Sequence, residues 1–477
     1  MPRTRILATV GPATMSEERL KALVEAGANA LRVNFSHGDE DQHRTILQRA
    51  RKIGEELGRP VTTVADLQGP KYRIGALEPE LRTLLPGETV ELKGGAGPSE
   101  APVIPVPVDG FLRILHQGQQ VLVGDGAIEL RVESVDATSA RARVVHGGHI
   151  ASHQGIYFPG APFPKLSLGP KDLHDLRVAV EEGVDWVALS FVASAADLRA
   201  ARAQVAALQP DRAPFLLAKI ERAEALRNQV GILESADGIM VARGDLGIEV
   251  PLAHLALVQK ELVTAARRAA KPCIVATQML LSMVSSPRPT RAEATDVANA
   301  VLDGADCLML SEETAVGQFP EESVRYLASI AEATEPALWG AGSGTFLGNE
   351  GDLVGSELQG EEGAVAEAAV RLAGRIGAKG IVVPTHSGRT ARLVARLRPK
   401  APLLVLSSQP STSASLGLLW GVRARNVPSR LPLDSLRDAA RTACIEALQL
   451  SRGDRVVLTA GYPLEGRPTN LLTVVEI

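Results

Sequence analysis

The chain has 477 residues, too many for one ordinary domain, so two or three are expected. Apolar residues make up 45% and charged residues 22%, the balance of a globular protein with an ample core. A net charge of −4 supplies no strong field for nucleic acid or an anionic membrane, and 3% aromatic content argues against base-stacking platforms.

Cys273, Cys307 and Cys444 are far apart and odd in number, which fits buried free thiols in a reducing compartment. The N-terminus has a basic flank but only a short apolar run before Gly11-Pro12, unlike a signal peptide. No run of about 18 apolar residues occurs. A cytoplasmic protein is the expectation.

Short apolar runs recur along the first two thirds. They are RILATV (5–10), ALRVNF (30–35), VTTVAD (61–66), WVALSF (186–191), PFLLAKI (214–220), GIMVAR (238–243), CIVATQ (273–278) and CLMLSE (307–312). Amphipathic segments such as SEERLKALVEAG and LALVQKELVTAARRAA lie between them. Continuous apolar strands alternating with helices indicate a parallel sheet covered on both faces, and eight of them suggest an α/β fold of the (β/α)8 TIM-barrel type.

Between the third and fourth runs, TVELKG, VIPVPV and VLVGDGAIELRVESVDATSARARVV alternate with period two. That predicts a small inserted β-barrel lid domain over 69–165, splitting the barrel into 1–68 and 166–340. The glycine-rich 340–363 reads as a linker. Beyond it, GIVVPT, PLLVLSS and RVVLTAG alternate with helical patterns, which predicts a C-terminal doubly wound α/β domain over 341–477.

In such a barrel the site is built from residues that follow the strands. Those positions hold Arg32, Asn34, Ser36 and His37; Asp66, Lys71 and Arg73; Lys219 and Glu221; Arg243, Gly244 and Asp245; Thr277 and Gln278; and Ser311, Glu312 and Glu313. Glu221 and Asp245 suit a Mg²⁺ that keeps positions open for substrate oxygens. Arg32, Arg73 and Lys219 supply positive charge for phosphate. The turn Ala242-Arg243-Gly244-Asp245-Leu246-Gly247 offers backbone N–H groups to an anion such as a carboxylate. Together these parts describe phosphoryl transfer. Singly, each has a plainer reading: Asn34, Ser36, Thr277 and Ser311 as helix caps, His37 as a loop-orienting residue, and Arg243-Gly244-Asp245 as a turn.

TRILATVGPAT, LRVNFSHG, AKIE, DGIMVARGDLGIE, KPCIVATQML and SPRPTRAEATDVANAVLDGADCLMLSEETAVGQFP, with the C-terminal GRPTNLLTV, closely resemble the pyruvate kinase family. The resemblance implies transfer of the phosphoryl group of phosphoenolpyruvate to ADP, as the last step of glycolysis. It implies Mg²⁺ (or Mn²⁺) on Glu221 and Asp245, and Lys219 stabilising charge in the transition state. The amides of Ala242 to Asp245, with Thr277, would hold the substrate carboxylate. Arg32 and Arg73 would hold phosphates, with His37, Arg73 and Asn34 near the nucleotide. Proton delivery to the enolate falls to Thr277 or to a water near Ser311 and Glu313. Family members are usually homotetramers.

The sequence departs from that pattern in three places. The lid segment, usually Lys-Gly-Val-Asn-Leu-Pro, is Gln154-Gly155-Ile156-Tyr157-Phe158-Pro159. Glu312 replaces the usual glycine of Ser-Gly-Glu-Thr-Ala. Members that need K⁺ read Asp-Thr-Lys-Gly-Pro-Glu-Ile-Arg, where this chain has Asp66-Leu67-Gln68-Gly69-Pro70-Lys71-Tyr72-Arg73. Lys71 in place of that glutamate resembles the K⁺-independent branch, with Lys71 as a built-in monovalent cation and Asn34, Ser36, Asp66 and Leu67 as a remnant cation site. The plainer reading of Lys71 is an exposed lysine.

In the C-terminal domain, Thr385-His386-Ser387-Gly388-Arg389-Thr390 stands between a strand and a helix, a fit for phosphate. By resemblance Thr385, Ser387, Gly388, Arg389 and Thr390 would hold a phosphorylated allosteric effector, a sugar phosphate or AMP; an ordinary capped helix start is the alternative. Two rival functions are a Mg²⁺-dependent lyase on a similar barrel and a non-catalytic sensor. Arg32, Arg73 and the lid favour a kinase over the first, and the presence of Lys219, Glu221 and Asp245 weighs against the second.

Overall fold

The computed structural model describes residues 2–70, 72–108, 110–124, 126–160, 168–209, 211–339, 360–428, 432–461 and 469–477. Eight parallel strands close into a barrel: β1 (Arg5–Val10), β2 (Ala30–Asn34), β3 (Thr62–Asp66), β12 (Trp186–Leu189), β13 (Phe215–Ile220), β14 (Gly238–Ala242), β15 (Cys273–Ala276) and β16 (Cys307–Leu310). Each matches one of the eight apolar runs. The runs lack alternation because both faces are buried, one against the helices and the other inside the barrel. Leu7, Val64, Trp186, Leu217, Met240, Ile274 and Met309 belong to the inner core.

The insert between β3 and β12 carries β4 (Leu81–Leu84), β5 (Thr89–Gly94), β6 (Val103–Val106), β7 (Gln120–Val123), β8 (Ile128–Val135), β9 (Ser139–His146), β10 (Gly148–Ala151) and β11 (Ile156–Tyr157). They form a six-stranded sheet, β11-β7-β8-β9-β5-β6, and a two-stranded ribbon of β10 and β4. Leu84 and Ile150 of the ribbon share one core with Leu92, Val121 and Leu130 of the sheet.

The C-terminal domain holds β17 (Gly380–Pro384), β18 (Leu403–Ser407), β19 (Val422–Asn426), β20 (Arg455–Ala460) and β21 (Leu471–Glu476) in the order β19-β18-β17-β20-β21. All neighbours are parallel except β20 and β21. The helix Glu361–Ile376, the first among the described residues of this domain, starts inside the stretch read as linker. Glu361 and Glu362 in its first turn complement the helix dipole, so they belong to the helix. Residues 340–359 lie outside the described residues.

The C-terminal domain seals the floor of the barrel. Leu418 joins the barrel's inner core, and Trp186 Nε1 donates to Ser415 O at 2.9 Å. Gly417 lies so close to Thr62 that any side chain there would collide with the Thr62 hydroxyl.

Candidate active site

The opposite end of the barrel gathers charge. Arg32, last but two in β2, sends Nε to Asp66 Oδ2 at 2.7 Å and Nη1 to Thr9 Oγ1 at 3.1 Å. Its Nη2 has no partner among the described residues. Lys219, last but one in β13, places Nζ 3.2 Å from Asp66 Oδ1, 3.0 Å from Glu221 Oε1 and 2.7 Å from Ser190 Oγ. Ser190 in turn donates to Leu67 O at 2.8 Å. Glu221 accepts from the Phe191 amide at 2.6 Å through its other oxygen.

Burial opposes the ionisation of Asp66, but Lys219 and Arg32 outweigh it and hold the carboxyl below its ordinary range. For Lys219 the order is the same: burial disfavours the ammonium, and Asp66 and Glu221 more than restore it. Glu221 goes the other way. Burial and the nearby Asp245 push its carboxyl up, against the pull of Lys219. Asp245 repels the Glu221 carboxylate, and a cation bound beside the two would relieve that repulsion. The carboxylates of Glu221 and Asp245 are both oxygen donors, which fits Mg²⁺ or Mn²⁺ with most positions left to water and substrate. No group of three or more His, Cys, Asp or Glu forms a self-sufficient metal cage among the described residues.

The helix Arg243–Glu249 starts where β14 ends, and the Gly244 amide donates to Thr277 Oγ1 at 2.9 Å. The Arg243 guanidinium turns away from this junction, to Asp296 at 2.7 Å and Thr277 O at 2.7 Å. Its side chain braces the turn, and only its backbone remains available to a carboxylate. Thr277 and Gln278 have φ of 71° and 54°, and Phe191 has 56°. A β-branched residue in the left-handed region is a true outlier, and such strain concentrates where the surroundings over-determine a site.

Other predicted residues fall at the rim. Asn34 Oδ1 accepts from the Ser36 amide at 3.1 Å. His37 is exposed and its carbonyl contacts His43 Nε2 at 2.7 Å, the loop-orienting contact of the plainer reading. Arg73 reaches the lid hinge, donating to His153 O at 3.0 Å. Lys71 lies outside the described residues. Glu312 is exposed, whereas Glu313 is buried and accepts from the amides of Leu280 and Ser311 at 3.0 and 2.7 Å. Burial pushes the Glu313 carboxyl up. Gln154 is turned into its own loop, accepting from the Ala151 amide at 3.1 Å.

Ser190, Thr9 and Tyr157 were not singled out by sequence. Ser190 directly follows its apolar strand, whereas Lys219 stands last but one within its own. Tyr157, on lid strand β11, donates to Asp245 Oδ1 at 2.9 Å. A cavity of ≈1100 Å³ lies between lid and barrel, lined by Gln120 and Leu122 on one side and by Asp245, Thr277 and Ser311 on the other.

The family model for the pyruvate kinase barrel domain matches residues 1–324, and that for the pyruvate kinase alpha/beta domain matches 363–475. The chain belongs to the pyruvate kinase family. It is 40% identical to pyruvate kinase of Mycobacterium tuberculosis over 97% of this chain and 95% of that one. It is 39% identical to pyruvate kinase 2 of Synechocystis over 96% of this chain and 76% of the relative, and 39% identical to pyruvate kinase of Thermococcus litoralis over 88% of each. The pyruvate kinase fold of barrel, inserted lid and α/β domain is thus present throughout the described chain.

The C-terminal loop lies apart from this site. Gly388, with φ of 79°, donates to Thr385 Oγ1 at 3.0 Å and starts the helix Arg389–Ala395. Thr390 Oγ1 meets Thr469 Oγ1 at 2.6 Å, and Arg389 pairs with Glu362 at 2.5 Å. Ser387 is exposed.

Proposed function

We propose that the chain transfers the phosphoryl group of phosphoenolpyruvate to ADP, in a Mg²⁺-dependent and K⁺-independent reaction. The observation that carries this is the Lys219 ammonium held between Asp66 and Glu221, with Arg32 sharing Asp66. That arrangement presents two fixed cations to an anionic substrate and keeps Lys219 charged.

Glu221 and Asp245 would hold the Mg²⁺ or Mn²⁺, which when bound neutralises charge on the phosphoryl and enolate oxygens. Arg32 offers its free Nη2 to the transferring phosphate, and Lys219 lies behind it. The first amides of the helix Arg243–Glu249, with Thr277, orient the substrate carboxylate. Arg73, His37 and Asn34 occupy the rim where nucleotide phosphates enter. Thr277, or a water near Ser311 and Glu313, delivers the proton to the enolate carbon. Protein groups occupy the oxygens of the remnant cation site: Asp66 is neutralised by Lys219 and Arg32, Asn34 Oδ1 accepts from Ser36, and Leu67 O accepts from Ser190. With Lys71 in the same loop, this supports independence from K⁺.

On this reading, 1–68 and 166–340 form the barrel, 69–165 the lid and 341–477 an effector-binding domain of a cytoplasmic homotetramer. The effector is a phosphorylated metabolite at Thr385, Ser387, Gly388, Arg389 and Thr390.

The test is pyruvate formation from phosphoenolpyruvate, ADP and Mg²⁺ in K⁺-free tetramethylammonium buffer and again with K⁺. Equal rates are expected. Activity only with K⁺ removes Lys71 as internal cation; no activity in either, with sugar phosphates and AMP added, overturns the kinase reading.

A further inference from the structure

The lid strand β11 is held on two sides. It pairs antiparallel with β7, Ile156 opposite Val123 and Tyr157 opposite Leu122, and the Ile156 amide donates to Tyr72 O at 3.1 Å on its other edge. Side chains alternate along a strand. Ile156 and Phe158 both enter the lid core. Tyr157, between them, must therefore leave by the opposite face. That face meets the barrel, where the phenol is buried and its hydroxyl donates to Asp245 Oδ1 at 2.9 Å.

We propose that Tyr157 is a positioning residue that orients the Asp245 carboxylate for the divalent cation and so couples closure of the lid to metal binding. The proposal rests on the reading of Glu221 and Asp245 as metal ligands. A donor on one carboxylate oxygen fixes the rotation of the group and directs the other oxygen to the metal, as outer partners of metal ligands do. Here the donor comes from a different domain, so the orientation exists only while the lid lies on the barrel. By linkage, metal bound to the oriented carboxylate favours the closed lid to the same extent that the closed lid favours metal.

The phenol also suits the task chemically. A hydroxyl donates a hydrogen bond without carrying a formal positive charge, so it orients Asp245 without supplying a charge that would compete with the cation. Gln154, where the usual lid segment carries a lysine, is spent on its own turn and brings no charge of its own to this junction.

The experiment is binding of Mn²⁺ alone, followed by electron paramagnetic resonance, together with amide hydrogen exchange of the lid, on wild type, Tyr157→Phe and Glu221→Gln. Tyr157→Phe keeps the ring and loses only the hydroxyl. It is expected to weaken Mn²⁺ binding about tenfold or more, and to abolish the slowing of exchange in β7 and β11 that Mn²⁺ produces in wild type. Unchanged Mn²⁺ affinity in Tyr157→Phe, with Glu221→Gln impaired, overturns the proposal and leaves the metal site standing. Weaker binding with lid protection intact overturns the coupling. A wild type that binds no Mn²⁺, or a Glu221→Gln that binds it normally, overturns the metal reading and the proposal with it.

Discussion

Arg398 Nη1 meets Asp306 Oδ1 at 3.0 Å where the C-terminal domain joins the barrel, and both side chains are almost wholly buried. The same carboxylate oxygen accepts from the Trp420 amide at 3.2 Å, and Arg398 Nη2 donates to Gly304 O at 2.6 Å. Removing one partner of a buried pair leaves the other charge uncompensated, at a cost of about 3–5 kcal/mol. Asp306→Ala should lower the unfolding free energy, read from urea denaturation, by an amount of that order. A change below about 1 kcal/mol would show that solvent reaches the junction and screens the charge.

Lys219→Met should keep the fold and lose phosphoryl transfer by about two to three orders of magnitude, the scale for removing one preorganised group from a transition state. Phosphoenolpyruvate binding should survive, since Arg32 and the helix amides remain. Single-turnover transfer at the wild-type rate would remove Lys219 from the chemistry.

The depressed carboxyl of Asp66 makes a pH prediction. A folded-state pKa below the unfolded value contributes stability that is present above about pH 3.9 and lost as the pH falls through the folded value. Asp66→Asn should thus be the less stable protein at neutral pH. The gap to wild type should narrow as the pH drops below about 3.9, as read from urea midpoints across a pH series. A gap that widens with acid would contradict the sign.

Gln278 is exposed yet has φ of 54°. Glycine adopts that conformation freely, whereas an L side chain there costs about 1 kcal/mol or more. Gln278→Gly should raise the unfolding free energy by up to about 1 kcal/mol, and a loss of stability would mean that the side chain makes a contact worth more than the strain.

All three cysteines are buried. Burial pushes the Cys444 thiol up to about 11 and raises those of Cys273 and Cys307 as well. Thiolate is the reactive form, so the native protein at pH 8 should give almost no reaction with a disulfide reagent. Three equivalents should react once urea unfolds the chain. Prompt reaction of one thiol in the native state would place it at the surface.

Much of this architecture was legible because burial writes itself into composition. The eight apolar runs needed no partner information: a strand covered on both faces has no polar side to show, and a polar residue in its last positions or just past them stands at the barrel mouth. That rule found Arg32, Asp66, Lys219 and Glu221. It also applied to Ser190, which went unnoticed because a serine after a strand is equally a helix cap. Other features depend on distance in space. No local pattern announces that Thr277 and Phe191 have positive φ, that Arg243 turns to Asp296, or that Tyr157 crosses to another domain. The sequence marks Asp66 as the remnant of a cation site, and its place between Lys219 and Arg32 appears only when β2, β3 and β13 are folded around one axis.

The Leu418 side chain in the barrel floor has a consequence for how this chain can be divided. A fragment ending after β16 would open an apolar well at the base of the barrel, beside Trp186, and would carry the Asp306 carboxylate without its guanidinium. The barrel's lower end is finished only by a segment synthesised roughly a hundred residues later. Barrel and C-terminal domain should accordingly melt in a single cooperative step, and neither is a self-contained module that could be exchanged between proteins without rebuilding its partner's face.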